Sequence, residues 1–255
     1  MLEKARHLPC DVVVLDLEDS VAPEAKAAAR DAVCAAVKSY GAREVVVRIN
    51  PLSASYGKAD LAAVCAAAPD AVLLPKVESP ADIHAAKGPL PVWAMIETPL
   101  GVLNVAAIAA SGVVCLAMGT NDLLKAIRAQ PLPDRRNLWP ALSATVLAAR
   151  AHGASVIDGT YNDITDDAGF AESCAQGRAF GFDGKTLIHP GQIESCNRIF
   201  APSPEDIVQA RRILEAFAKN PGKGAIALDG RMVERLHAEE ATRILALAGA
   251  IGSRG

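Results

Sequence analysis

Charged and amide side chains recur in this 255-residue sequence directly after short apolar runs. Two of them, Glu97 and Asp122, each close such a run. Two carboxylates held close together in an apolar setting repel each other unless a cation joins them. Oxygen ligands with no His or Cys beside them suit Mg²⁺. The pair therefore predicts a magnesium site, and the competing interpretation is that each carboxylate caps the helix that follows it.

Arg48 is the second candidate for chemistry. It lies late in the run EVVVRIN, which is too apolar to hold a surface arginine comfortably. One interpretation is a bidentate clamp on a substrate carboxylate or enolate oxygen. The other, which is compatible with it, is an internal ion pair with Glu18 or Asp19. For Glu18 and Asp19 we expect a role in holding metal-bound water.

Several further residues could complete such a site. Lys76 follows Pro75 at the end of a run, and it is expected to contact a substrate carbonyl or to close the carboxylate network. A Schiff-base role for Lys76 is less favoured beside a metal. Gly119 and Thr120 would allow close backbone approach to a ligand.

These residues need elements that bring them together. Seven β-branched or apolar runs alternate with Ala-rich helical stretches, which predicts parallel strands joined by crossover helices. The predicted strands are Val12 to Asp19, Glu44 to Asn50, Ala71 to Lys76, Val92 to Thr98, Val113 to Asp122, Ser155 to Asp163 and Phe182 to His189. Their polar ends would converge on one face of a parallel barrel, where active sites lie.

The spacing of the runs favours a (β/α)8 TIM barrel over an open doubly wound sheet. The polar ends from Asp19 to His189 follow one another at about 28 residues, close to the roughly 30 residues of a barrel unit. No Gly-rich dinucleotide loop follows the first run, where Asp16 to Asp19 stands instead. A barrel needs eight strands, so the first strand is expected to be missing from this chain.

The sequence after His189 turns helical. Helices are predicted over Pro204 to Lys219 and Ala238 to Ala250, with a Gly-rich loop or arm over Asn220 to Gly230 between them. We therefore expect a barrel domain over residues 1–200. Residues 201–255 would form a C-terminal helical extension that packs on the barrel or on a neighbouring subunit.

Composition excludes several classes of protein. The 26 Lys and Arg residues against 29 Asp and Glu give a net charge of −3, which provides no basic surface for nucleic acid. Six scattered cysteines without a C-x-x-C pair indicate reduced thiols in a cytoplasmic protein. The uncharged stretch from Thr98 to Asn121 is interrupted by Pro99 and Gly101, so a buried helix and strand are favoured over a membrane span.

Seven segments carry a resemblance to a known family. They are VVVLDLEDSVAPEAKAAAR (12–30), VVVRINPL (45–52), LLPKVESP (73–80), MIETPLGVLNV (95–105), LAMGTNDL (116–123), FDGKTLIHPGQI (182–193) and LDGRMVE (228–234). Together they resemble the citrate lyase beta subunit-like proteins of the HpcH/HpaI aldolase superfamily, which include malyl-CoA and citramalyl-CoA lyases. The resemblance implies a Mg²⁺-dependent (β/α)8 barrel that makes or breaks a carbon–carbon bond between an acyl thioester and a 2-keto acid.

The resemblance also implies roles for single residues. Glu97 and Asp122 match the family's metal ligands, and Arg48 matches its substrate-binding arginine. Asp229 matches an aspartate that family members project into a neighbouring subunit's site as acid or base, which implies a homo-oligomer, a trimer or a multiple of three. The predicted substrate-binding residues are Arg48, Lys76, Gly119, Thr120, Asn121 and Pro190.

The sequence departs from the family pattern at two places. Family members begin with a further strand that carries an Arg-Ser pair and a Pro-Gly loop, and many have an acidic residue where this chain has Asn121. The expected function is a lyase for a 3-hydroxyacyl thioester of the malyl-CoA, citramalyl-CoA or citryl type. The alternatives are a malyl-CoA-type thioesterase, a CoA-independent Mg²⁺ aldolase, and a citrate lyase beta subunit in a larger complex. The sequence leaves the acyl group and the keto acid open.

Overall fold

Seven parallel strands form the main sheet of the computed structural model, which describes residues 2–253. They are β1 (Val12–Asp16), β2 (Glu44–Arg48), β3 (Ala71–Leu74), β4 (Val92–Ile96), β5 (Cys115–Met118), β6 (Ser155–Asp158) and β7 (Gly184–Lys185). Each strand pairs in parallel with the next one along the chain. A doubly wound sheet reverses its strand order part-way, so this uninterrupted order is that of a barrel.

Helices alternate with these strands. They are α1 (Leu2–Ala5), α2 (Lys26–Ala36), α3 (Gly57–Ala67), α4 (Pro80–Ala85), α5 (Pro99–Leu103), α6 (Val105–Ala110), α7 (Thr120–Ala126), α8 (Trp139–His152), α9 (Asp167–Phe180), α10 (Ile193–Phe200), α11 (Pro204–Ala218) and α12 (Arg235–Gly252). No helix of residues 2–253 is long and apolar enough to cross a membrane.

The core lies along the middle strands. Strands β3, β4 and β5 are buried at every position. Strands covered on both faces have near-continuous apolar sequences, and this explains why their runs show no polar alternation. A cluster of buried side chains packs among them, formed by Val46, Ala71, Leu73, Trp93, Met95, Cys115 and Ala117.

All seven predicted strands are present, and each is shorter than its apolar run. The chain leaves the sheet before the polar residues, so Glu18, Lys76, Glu97 and Asp122 lie beyond the strand ends and not within the strands. The curled parallel sheet confirms a TIM-barrel-like α/β fold. That the first strand of an eight-stranded barrel is missing from this chain stays a prediction.

The chain divides into two compact units, one up to Cys196 and one from Asn197 onward. The second unit contains α11, α12 and an antiparallel hairpin of β8 (Ala225–Leu228) and β9 (Arg231–Glu234). The segment from Asn220 to Gly230, predicted as a loop or arm, contains strand β8 in its second half. Asp229 and Gly230 both have positive φ, 52° and 75°, and Asp-Gly is the pair that two-residue hairpin turns favour.

Candidate functional site

A cleft of about 370 Å³ opens where the strands end. Its wall includes side chains from β1, β2, β4 and β5 and from the loops that follow β1, β4, β5, β6 and β7. Seven of the residues singled out from the sequence line it: Asp19, Arg48, Glu97, Gly119, Thr120, Asn121 and Asp122. Parallel strands aim their carboxyl ends at one face, so residues far apart in the sequence meet there.

Glu97 is the most buried acid of the cleft, with 1% of its surface exposed. It follows β4, and its Oε1 accepts the backbone N–H of Lys76 at 2.7 Å. Burial is the main cause that raises the pKa of Glu97, to about 7; the Lys76 hydrogen bond opposes this rise, and the neighbouring charges of Glu18 and Asp122 contribute to it. Glu97 therefore takes up a proton or a cation far more readily than an exposed glutamate.

Gly119 makes room for the Glu97 carboxylate. A Cβ atom placed on Gly119 would lie 2.4 Å from Oε2 of Glu97, well inside contact distance. The φ of Gly119 is −105°, which any residue can adopt, so the close approach alone explains the glycine. The sequence correctly indicated a close approach at this glycine, but the approaching group is a side chain of the protein itself.

Asp122 lies in the first turn of α7, directly beyond β5. It is partly exposed and lines the cleft beside Glu97. Gly119 is the N-cap of α7 and has no side chain that could cap the helix. The competing interpretation of Asp122 as a helix cap is not supported, because residues 2–253 contain no side-chain hydrogen bond at this N-cap. Both predicted metal ligands therefore face one space.

Arg48 is held by two acids. Its Nε and Nη2 donate to the two carboxylate oxygens of Asp16 at 2.6 Å each, and its Nη1 lies 3.0 Å from Oε2 of Glu18. Burial favours the neutral forms, but the paired charges prevail, so the pKa of Arg48 is raised and that of Asp16 is lowered. The internal ion pair predicted for Arg48 is present with Glu18, and Asp16 replaces Asp19 as the other partner.

Lys76 closes the carboxylate network. Its Nζ lies 2.7 Å from Oε1 of Glu18, so Glu18 bridges Lys76 and Arg48. Burial still raises the pKa of Glu18 against both cations, since 3% of the residue is exposed. Glu18 and Lys76 stand behind the cleft and support Arg48, whereas Asp19 is exposed and lines the cleft.

Asn121 joins two loops at the mouth of the cleft. Its side-chain amide pairs reciprocally with that of Asn162, with N···O distances of 3.0 and 2.9 Å, and it also donates to Thr160 at 3.3 Å. The pairing connects the start of α7 to the loop after β6. An acidic residue at position 121 could not make both hydrogen bonds, because a carboxylate only accepts.

Besides Glu18 and Lys76, two further predicted residues lie outside the cleft lining. Pro190 is exposed at the start of a short 3-10 turn after β7. Asp229 sits at the tip of the β8–β9 hairpin, where Arg212 of α11 holds its carboxylate at 2.7 Å. Their roles toward substrate stay predictions.

One buried network near these strands was missed at the sequence level. Asp158 ends β6 fully buried, and it binds Arg135 at 2.8 Å and Lys185 at 2.9 Å. Arg135 lies in a Pro- and Arg-rich loop that gives no sequence signal of burial. The network ties β6 to β7 and to the loop before α8.

The donor set of the cleft fits a magnesium ion. Residues 2–253 contain no group of three or more His, Cys, Asp and Glu side chains arranged to hold a metal. Mg²⁺ needs no such cage, because it keeps several waters or substrate oxygens and binds through one or two carboxylates. Glu97, buried and with a raised pKa, gains from any cation placed between it and Asp122.

Comparison with known proteins identifies the family. The HpcH/HpaI aldolase/citrate lyase family matches residues 1–190. The chain belongs to this family. A (3S)-malyl-CoA thioesterase of Cereibacter sphaeroides is 45% identical over 260 residues, covering 99% of this chain and 91% of that protein.

Two other members of the HpcH/HpaI aldolase/citrate lyase family widen the comparison. The citrate lyase subunit beta of Haemophilus influenzae is 36% identical over 88% of this chain and 84% of its own length. The crystal structure of CitE from Mycobacterium tuberculosis, in complex with magnesium, acetoacetate and coenzyme A, superposes with a TM-score of 0.82 at 34% identity. The superposition covers 94% of this chain and 90% of the CitE chain.

Proposed function

We propose that this chain is a Mg²⁺-dependent enzyme that cleaves or forms the carbon–carbon bond of a 3-hydroxyacyl-CoA of the malyl type. The observation that carries the proposal is the meeting of Glu97, Asp122 and Arg48 at one cleft. Two carboxylates can hold a divalent cation, and a guanidinium beside them can bind the carboxylate or oxyanion of a 2-keto acid. The CitE structure with magnesium, acetoacetate and coenzyme A supports this assignment.

Glu97 and Asp122 would hold the ion, and Asp19, which lines the cleft, would orient the water around it. The same role was expected for Glu18, but its carboxylate lies outside the cleft lining and pairs with Lys76 and Arg48. When bound, Mg²⁺ supplies Lewis acidity to the oxygens of the keto acid half. Asp16 fixes the plane of the Arg48 guanidinium. The Nη2 atom carries a second hydrogen beyond the one donated to Asp16, and this N–H would stabilise oxyanion charge as the bond breaks. Lys76, Gly119, Thr120, Asn121 and Pro190 are proposed to complete the substrate site.

Cleavage has two proton transfers. The hydroxyl of the 3-hydroxyacyl thioester gives its proton to solvent water as the carbon–carbon bond breaks, which gives the keto acid and a thioester enolate. The enolate carbon then takes a proton, for which we propose Asp229 of a neighbouring subunit as the acid. This places residues 201–255 against a neighbouring subunit and requires a homo-oligomer.

Thioester hydrolysis is the second candidate, and the 45% identity to a (3S)-malyl-CoA thioesterase favours it. The same cleft would then bind the malyl group while water attacks the thioester carbonyl, releasing malate and free CoA. The two reactions differ in products and not in the residues that bind the substrate.

The deciding experiment incubates the purified protein with malyl-CoA and citramalyl-CoA, with Mg²⁺ or with EDTA. Free thiol and released keto acid are followed separately. Keto acid without thiol supports the lyase, and thiol without keto acid supports the thioesterase. Glu97→Gln should abolish either reaction, whereas Glu172→Gln, an exposed change on α9, should not. Activity that persists in EDTA, or in Glu97→Gln, would overturn the proposal.

A further inference from the structure

A buried lysine lies behind the first strand and takes no direct part in the cleft. Lys26 begins α2 with 8% of its surface exposed. Its Nζ donates to the carbonyl oxygens of Leu17 and Glu18, at 2.8 and 2.6 Å, and to Oδ1 of Asn50 at 2.7 Å. All three ammonium hydrogens therefore have an acceptor, and each acceptor is a neutral group.

The two carbonyl oxygens mark the point where the chain leaves the sheet. The ladder between β1 and β2 ends with the pair Asp16 and Arg48, although the Leu17 N–H still donates to the Arg48 carbonyl at 2.8 Å. Buried backbone carbonyls need partners. The Glu18 carbonyl also accepts the N–H of Val21 at 3.0 Å, and the Leu17 carbonyl also accepts the side-chain amide of Asn50. The Lys26 ammonium is shared by both carbonyls and turns them toward one point.

This turn sets the direction of the Glu18 side chain. With its carbonyl directed at Lys26, Glu18 extends its carboxylate to Lys76 at 2.7 Å and toward Arg48 at 3.0 Å. Arg48 in turn lines the cleft. A displacement of the Leu17–Glu18 backbone would therefore reach Arg48 through one ion pair.

Lys26 is itself fixed by a second layer. The Asn50 side chain donates to the Leu17 carbonyl at 2.8 Å and to Oδ2 of Asp60 at 2.6 Å. Asp60 is fully buried, and Arg30 of α2 lies 3.3 Å from its other oxygen. Three elements, α2, α3 and the end of β2, thus hold the ammonium in place.

We infer that Lys26 is a positioning residue for the reaction, acting through the backbone of Leu17 and Glu18 to hold the Glu18 carboxylate against Arg48. The inference rests on the proposed function, since it assigns the network to the same cleft. Arginine cannot replace Lys26, because its planar fork does not match three acceptors grouped around one point.

The test is a double-mutant cycle on the full-length chain. Lys26→Met, Glu18→Gln and the double variant are compared for kcat and KM with malyl-CoA. If Lys26 acts through Glu18, Lys26→Met lowers kcat by at least about tenfold, and the double variant is no slower than Glu18→Gln alone. Losses that multiply in the double variant would overturn the inference. If Lys26→Met does not fold, Lys26→Arg replaces it in the same cycle with the same expectation.

A packing control separates positioning from stability. Val64 is fully buried one helical turn after Asp60 in α3, and Val64→Ala removes only apolar volume there. It should lower Tm while leaving kcat within about twofold, and an equal kcat loss would overturn the inference. A wild-type protein without turnover would refute the proposed function alone. In that case a crystal structure of the Lys26 variant decides: Glu18 displaced from Arg48 supports the inference, and an unchanged pair overturns it.

Discussion

The surroundings of Glu97 disfavour the ionised form of its carboxylate. Its pKa is raised to about 7 from 4.5, so the folded protein keeps a proton between these pH values that the unfolded chain has lost. Stability therefore falls as pH rises from about 5 to about 7, by at most about 3 kcal/mol. Without metal, Glu97→Gln should unfold at higher temperature than the wild type at pH 8 and at an equal temperature at pH 5.

Thermal melts in EDTA at the two pH values measure this difference. Glu172→Gln, an exposed change on α9, should melt like the wild type at both. Equal melting temperatures of Glu97→Gln and wild type at pH 8 would mean that a partner within the protein already stabilises the buried carboxylate, so that it does not need a cation.

Gly119 leaves the space that the side chain of Glu97, a proposed metal ligand, occupies. Gly119→Ala places a methyl group 2.4 Å from both Cβ and Oε2 of Glu97, at a φ that any residue can adopt. We expect the variant to fold and to bind Mg²⁺ at least about tenfold more weakly, because ligand orientation controls metal affinity. Isothermal titration with Mg²⁺ measures this. The control is Gly249→Ala in α12, where a Cβ meets nothing within 4 Å, and it should leave the affinity unchanged.

Polar residues at the ends of apolar runs can be recognised as candidate site residues from the sequence, because such runs contain few polar side chains. Glu97, Asp122 and Arg48 were identified in this way, and the cleft does bring them together. Asp229 had no such signal, since Asp-Gly in a turn looks ordinary, and only the family resemblance singled it out. Lys26 had none either, because a lysine in an Ala-rich helix is typical of a solvent-exposed face.

At the scale of elements, strand order was predictable and strand length was not. Seven apolar runs at regular spacing were enough to indicate a barrel with successive parallel strands. Each apolar run is longer than the strand that it predicts, because side-chain contacts end the hydrogen-bond ladder between the strands early. Asp16 shows this: its carboxylate accepts the N–H of Glu18 at 2.8 Å and draws the chain out of the sheet. Such contacts depend on tertiary partners, which periodicity does not report.

Strands β6 and β7 depend on one buried acid. Asp158 neutralises Arg135 and Lys185, and the Lys185 side chain is fully buried. Asp158→Ala should cost about 3–5 kcal/mol in unfolding free energy, because two buried cations lose their shared partner. Urea denaturation measures it. Glu240→Ala, which breaks an exposed pair with Arg243, should cost less than about 1 kcal/mol. Similar costs for both variants would show that the Asp158 network contributes no more than a surface pair.

At the scale of the whole molecule, the proposed role of Asp229 predicts that one protomer supplies this residue to the cleft of its neighbour. Its carboxylate is held by Arg212 at the tip of a hairpin in the second compact unit, while Arg48 and Glu97 belong to the first. If Asp229 serves a neighbouring subunit, an oligomer that mixes Arg48→Ala with Asp229→Ala protomers contains some complete sites. An oligomer built from either variant alone contains no complete site.

Coexpression of the two variants under different tags, followed by tandem purification, gives the mixed oligomer. A mixed trimer closed by a threefold axis has one complete site in three, so the purified mixture should restore about a third of the wild-type turnover, since a complete site needs an intact Arg48 protomer beside an intact Asp229 protomer. Mixing Arg48→Ala with Glu97→Gln is the matched control and should stay inactive, because both residues belong to the same cleft. Asp229→Ala protomers that are fully active alone would remove the proposed acid. An inactive mixture would instead place Asp229 in its own subunit's site.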